Sequence, residues 1–151
     1  MWHRPVLFAL VDIGSRGIER KELTAFADRI VYYLRTGVDR GGCLSEVRLV
    51  CWDTETYEVR EVRSVEDVLA SVRFHGRGGT YITPMLERLL QENIRNNILV
   101  VLSDGRIEDL GEPRVQEALR QISMRAGCCM FVSTDKEVRL PPRWRLIKIK
   151  E

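Results

Sequence analysis

The sequence predicts an α/β domain built on a mostly parallel sheet covered on both faces. Three observations carry that expectation. Two short apolar runs, Val6 to Gly17 (VLFALVDIGSRG) and Ile98 to Gly105 (ILVVLSDG), each break off in an acid, Asp12 and Asp104. Continuous apolar runs bounded by turn residues read as strands buried on both faces. Helical stripes alternate with these runs, as crossover connections between parallel strands require. One segment, Tyr57 to Arg63 (YEVREVR), alternates apolar and charged residues and reads as an antiparallel edge strand guarded by charge.

Taken in order, the first strand leads into a helical pattern after Gly17, with Leu23, Phe26, Ala27, Ile30, Val31 and Leu34 on one stripe and Gly37 as its stop. Val38 to Leu44 is a loop. Val47 to Trp52 (VRLVCW) is a strand, and the polar stretch from Asp53 to Thr56 is short enough to close a hairpin onto the edge strand. Ser64, with Asp67 three residues on, caps a helix whose stripe is Val65, Val68, Leu69 and Val72. A glycine loop, Gly76-Arg77-Gly78-Gly79-Thr80, follows. Thr83 as N-cap and Pro84 as first helical residue open a helix carrying Met85, Leu86, Leu89, Leu90 and Ile94. Beyond the Asp104 strand, Gly111-Glu112-Pro113 begins a helix with Val115, Ala118, Leu119, Ile122 and Ala126 on its apolar face, ended by Gly127. Cys128 to Ser133 is another buried strand, and Trp144 to Lys150 a last, partly exposed one.

A chain of 151 residues fits one domain with a real core, and no linker, repeat or low-complexity segment divides residues 1–151. Hydrophobic content of 44% with 30% charged residues excludes a disordered or membrane-embedded class, and no segment reaches the roughly 18 apolar residues that would span a bilayer. Net charge is +2, so composition does not demand nucleic acid. The four cysteines, Cys43, Cys51, Cys128 and Cys129, lack CxxC spacing and a neighbouring histidine. Cys51 and Cys128 fall in apolar runs and read as buried free thiols, which points to a reducing, cytoplasmic location. His3 and His75 are isolated surface histidines.

In a doubly wound sheet the ligand crevice lies at the carboxyl ends of the strands, where strand order reverses. If the Asp12 and Asp104 strands are neighbours at that point, both carboxylates open into one crevice, with the glycine loop and Thr80 folded over it. Taken singly, Asp12 has the alternative reading of a turn or helix cap, and the glycine loop that of a tight connection.

Together these residues resemble a von Willebrand factor A-like (VWA-like) domain, closest to the prokaryotic VWA-like domains of unknown function. Such domains carry a metal-ion-dependent adhesion site: DxSxS after the first strand, a threonine in a glycine-rich loop, and an aspartate after the fourth strand. Here the motifs read Asp12-Ile13-Gly14-Ser15-Arg16, then Gly78-Gly79-Thr80 followed by Pro84, then Leu102-Ser103-Asp104-Gly105. The resemblance covers nearly the whole chain. It implies a three-layer Rossmann-like sheet of about six strands in the order 3-2-1-4-5-6 with one antiparallel edge. It also implies Asp12, Thr80 and Asp104 as metal ligands and partner recognition, without catalysis, through the carboxyl-end crevice. By analogy the partner is a protein, including AAA-type ATPases.

The departure from the pattern is at the serines. Gly14 and Arg16 replace both, so the set offered to Mg²⁺, a hard ion wanting about six oxygens, is depleted. Two converging carboxylates repel unless a cation lies between them, and Arg16 can supply it with a bidentate fork. Arg16, Arg77 and Arg106, beside the three motifs, are then candidates to grip a partner carboxylate. The alternatives are an adhesion site that still binds Mg²⁺ weakly, an Mg²⁺-dependent phosphoryl-transfer enzyme, and RNA or DNA binding by the basic C-terminal strand through Arg139, Arg143, Arg145, Lys148 and Lys150.

Overall fold

A computed structural model describes residues 6–14, 32, 46–64, 67–68, 72, 80–133 and 138–148. Six strands, β1 (Val6–Asp12), β2 (Glu46–Trp52), β3 (Tyr57–Val62), β4 (Ile98–Ser103), β5 (Cys128–Ser133) and β6 (Trp144–Lys148), form one sheet in the order β3-β2-β1-β4-β5-β6. Only β3 runs antiparallel to its neighbour. Architecture and strand order match the sequence expectation.

β1 and β4 sit at the centre because their side chains are apolar on both faces. Alternate β1 residues divide between two cores. Phe8 and Leu10 join Val50, Trp52, Leu99, Val101 and Phe131 on one face. Leu7, Ala9 and Val11 join Val47, Leu49, Val100 and Val132 on the other. The first face is covered by α1 (Thr83–Gln91), through Met85, Leu86 and Leu89, and by α2 (Pro113–Arg125), through Val115, Leu119 and Ile122. The Trp144 indole N–H ties β6 to α2 by donating to the Leu119 carbonyl at 2.8 Å. On the second face Val68 is fully buried and Val72 packs against the core.

The first helical stripe predicted from the sequence lies wholly outside the described residues; of the segment that carries it, Tyr32 alone is described, helical and exposed. Of the helix predicted after Ser64, the structure describes its start, where Ser64 Oγ donates to Asp67 at 3.3 Å, together with Val68 and Val72. Three local expectations are corrected. The N-cap of α1 is Ile82 rather than Thr83, and Thr83 is already helical. Ile94 lies past the end of α1, yet it is buried in the same core. Cys128 is exposed, not buried: it opens β5, and on its side of the strand burial begins only at Met130.

The other described thiols, Cys51 and Cys129, are buried, and desolvation pushes Cys129 up to about 12. A protonated, buried thiol is a poor nucleophile. In a Cys43→Ser background, a disulfide reagent at mildly alkaline pH should therefore titrate Cys128 in the native protein and Cys51 and Cys129 only after denaturation. Leu10→Ala, in the central strand, should cost about 2–5 kcal/mol in urea unfolding with an unchanged m-value.

Candidate site at the carboxyl ends of the strands

Parallel pairing of β1 with β4 aligns Val11 with Leu102, so Asp12 and Ser103 end adjacent strands at one level. Asp12 continues the Phe8–Leu10 side of β1 and is completely buried. Its carboxylate accepts on both oxygens: the Gly14 N–H donates to Oδ1 at 2.9 Å and the Ser103 hydroxyl to Oδ2 at 2.7 Å. Ser103 Oγ in turn accepts from the Gly105 N–H at 3.1 Å. The acid is thus held by donors from its own turn and from the next strand, and such charge-assisted bonds are what make a buried carboxylate tolerable.

Thr80 completes the arrangement. It is buried and forms a parallel bridge with Ile107. Its carbonyl accepts from the Glu108 N–H at 2.9 Å, and the next residue's N–H, that of Tyr81, donates to Thr54 Oγ1 at 3.0 Å. The Thr80 segment is therefore stitched between the β2–β3 turn and the loop after β4. A Cβ placed on Gly14 would lie 2.8 Å from Thr80 Oγ1 and 3.3 Å from Asp12 Oδ1. A side chain at position 14 would force the Thr80 hydroxyl to shift, so glycine suits this close approach.

Asp104 is buried one residue beyond the end of β4, and its Oδ1 accepts from the Arg106 N–H at 2.9 Å. The structure thus brings Asp12, Gly14 and Thr80 into one cluster, places Asp104 on the neighbouring strand end, and exposes Arg106 at the rim. Arg16 and Arg77, with the glycines before Thr80, lie outside the described residues.

Two residues with no role in the sequence reading complete the site. Ser103, quoted only as part of the Asp104 motif, is the Asp12 donor. Asp109, fully buried, accepts from the N–H groups of Ile82 at 2.8 Å and Thr83 at 3.0 Å and from the Thr83 hydroxyl. It satisfies the backbone donors at the start of α1 that have no partner within the helix, in place of a side chain from the capping position, and it compensates the helix dipole. The Thr-Pro start signal is visible in the sequence; its acidic partner, 26 residues on from Thr83, is not. At the rim Tyr81 is exposed, and its hydrogen bond to the Glu108 carboxylate raises its phenol above the ordinary range.

As a cradle for Mg²⁺ the described residues fit poorly. An octahedral shell needs about six oxygens, Gly14 supplies none where the adhesion motif places a hydroxyl, and both Asp12 oxygens hold hydrogen-bond donors. Among the described residues no group of three or more His, Cys, Asp or Glu side chains is placed to share an ion.

Compared with solved structures, the chain superposes on the crystal structure of the SpRpn10 VWA domain with a TM-score of 0.61, over 98% of this chain and 89% of that one. The fold is VWA-like. At 11% identity the likeness is one of fold alone. No family model matches the sequence, and no curated protein does. Within the VWA-like frame, Asp12, Thr80 and Asp104 stand at the carboxyl ends of adjacent elements. No helix among the described residues is long and apolar enough to cross a membrane.

The lock has measurable consequences. Ser103→Ala leaves Asp12 Oδ2 without that donor and should destabilise the fold by about 1–3 kcal/mol. Asp109→Ala should cost about 2–3 kcal/mol by orphaning the donors at the start of α1. Gly14→Ala should cost about 1–3 kcal/mol through overpacking. Thr80→Ala in the same chain should recover part of that loss, giving a coupling in a double-mutant cycle that two independent sites would lack.

Proposed function

We propose that the chain is a non-enzymatic protein-interaction module that recognises a partner at the carboxyl-end crevice without a bound metal. One observation supports this reading above the others: the Asp12 carboxylate, which an adhesion site would devote to its ion, accepts from Gly14 and Ser103. Hydrogen bonds from a serine and a backbone amide stabilise the ionised carboxylate, and in this reading Arg16 adds the positive charge that a cation would otherwise bring. The contact surface is the rim, where Arg106, Tyr81 and Glu108 are exposed. Arg106 offers a planar fork to a partner carboxylate, and Tyr81, hydrogen-bonded to Glu108, an aromatic anchor. In a site of this kind specificity comes from the rim while the buried acid sets the loop geometry. An AAA-type ATPase is one partner class consistent with that analogy.

Thermal unfolding with chelator and with millimolar MgCl₂ tests the metal-free reading. The expected melting temperature is the same in both; a Mg²⁺-dependent rise that disappears in Asp12→Asn would overturn it. Arg106→Glu combined with Tyr81→Ala should keep the wild-type melting temperature and lose the proteins that wild type captures. Equal recovery of every partner by the double variant would place recognition elsewhere.

A further inference from the structure

β3 ends the sheet, and its outer edge carries a pattern that is complementary to itself. The direction of its backbone groups follows from its neighbours. The Trp52 carbonyl accepts from the Ile13 N–H at 3.0 Å, on the β1 side, and the Asp53 N–H donates to the Thr56 carbonyl at 3.1 Å across the turn. Backbone groups alternate along an antiparallel ladder, so Trp52–Tyr57 and Val50–Val59 are the non-hydrogen-bonded pairs. Glu58, Arg60 and Val62 therefore direct their N–H and C=O groups at β2. Those of Tyr57, Val59 and Glu61 point off the sheet, along a strand whose middle four residues are all exposed. Among the described residues Val59 is one of the few large apolar ones left in solvent, at 42% exposure.

We propose that this edge pairs with the same edge of a second copy, antiparallel and two-fold symmetric about Val59. This goes beyond the reading of the carboxyl-end crevice and does not depend on it. Centring the pair on Val59 sets Val59 against Val59, Glu58 against Arg60 and Tyr57 against Glu61, and the symmetry repeats each contact. Within one chain the Arg60 guanidinium already reaches the Glu58 carboxylate at 2.6 Å on the same face. Two such pairs meeting across the axis make a ring of four alternating charges. The Glu58–Arg60 contacts fall at non-hydrogen-bonded positions, where side chains approach most closely. The outward N–H and C=O groups of Val59 exchange a close pair of hydrogen bonds at the axis itself.

The two neighbouring registers of the same parity fail. Centring on Glu58 or on Arg60 places like charges face to face, which is destabilising. Charge on an edge strand ordinarily repels stray strands. Here it disfavours the two neighbouring registers, and a two-fold axis closes the assembly at two copies. The product is one continuous sheet made from two six-stranded ones, with β3 against β3 at the seam.

Sedimentation velocity over a concentration series of the whole chain tests this, with three variants. Wild type should shift from monomer to dimer as concentration rises. Arg60→Glu places like charges in both cross-axis pairs and should weaken the dimer at least about tenfold. Glu58→Arg combined with Arg60→Glu reverses every pair and should restore dimerisation to within about threefold of wild type. Val59→Pro removes the outward N–H without touching the β2 ladder, so it should abolish the dimer while leaving the melting temperature near wild type. A wild type that stays monomeric to high micromolar concentration overturns the proposal. So does a dimer that survives Val59→Pro, a double charge swap that fails to rescue, or growth beyond two copies.

Discussion

A carboxylate with no exposure to solvent is the constraint around which the carboxyl end of this sheet is built. Asp12 ends the central strand and is entirely buried, so its charge must be met inside the protein. Ser103 and the Gly14 amide meet it, and both are placed by the parallel pairing of β1 with β4 and by the turn after β1. The same pairing that builds the core therefore brings the donor to the acid. Any slip of register between the two central strands would turn Ser103 away from Asp12 and Leu102 toward it.

From that point the three connections at the carboxyl end interlock. The β2–β3 turn holds Tyr81 through Thr54, and the loop after β4 holds Thr80 through Ile107 and Glu108. Asp109 holds the start of α1. Each connection is anchored to a different strand, so none can move without disturbing the others. The exposed side chains of Arg106 and Tyr81 sit on these cross-linked connections. In the function proposed above, a partner meeting them loses less to ordering than one meeting loose loops. The edge strand at β3 is of the opposite kind: regular, exposed and patterned in charge.

The strands and their order were legible because periodicity and crossover handedness are strong, local and additive signals. Val6–Asp12 and Ile98–Ser103 are continuous apolar runs, and only the centre of a parallel sheet buries such a run on both faces. Tyr57–Val62 alternates with charge, and only an edge suits it. The site was legible in part. Asp12, Thr80 and Asp104 were found as motif residues, yet the missing serine at position 14 was read only as a loss. In the folded chain that position is a close approach, filled by a hydroxyl from Thr80, 66 residues later in the numbering. Thr83 was read as a helix cap because Thr-Pro is a common start, but Asp109 takes up the donors at that helix end, and the chain enters helix one residue sooner.

By itself the sequence determined the secondary structure, the layering of apolar faces and the strand order, because each depends on patterns a few residues long and on general rules of chain crossing. Only the tertiary structure decided which donor meets Asp12, which acid caps α1 and why glycine suits position 14. Those contacts join residues up to 91 positions apart. A hydrogen bond across such a separation is chosen by the packing of the strands that carry its partners, and leaves no mark in the residues on either side of it.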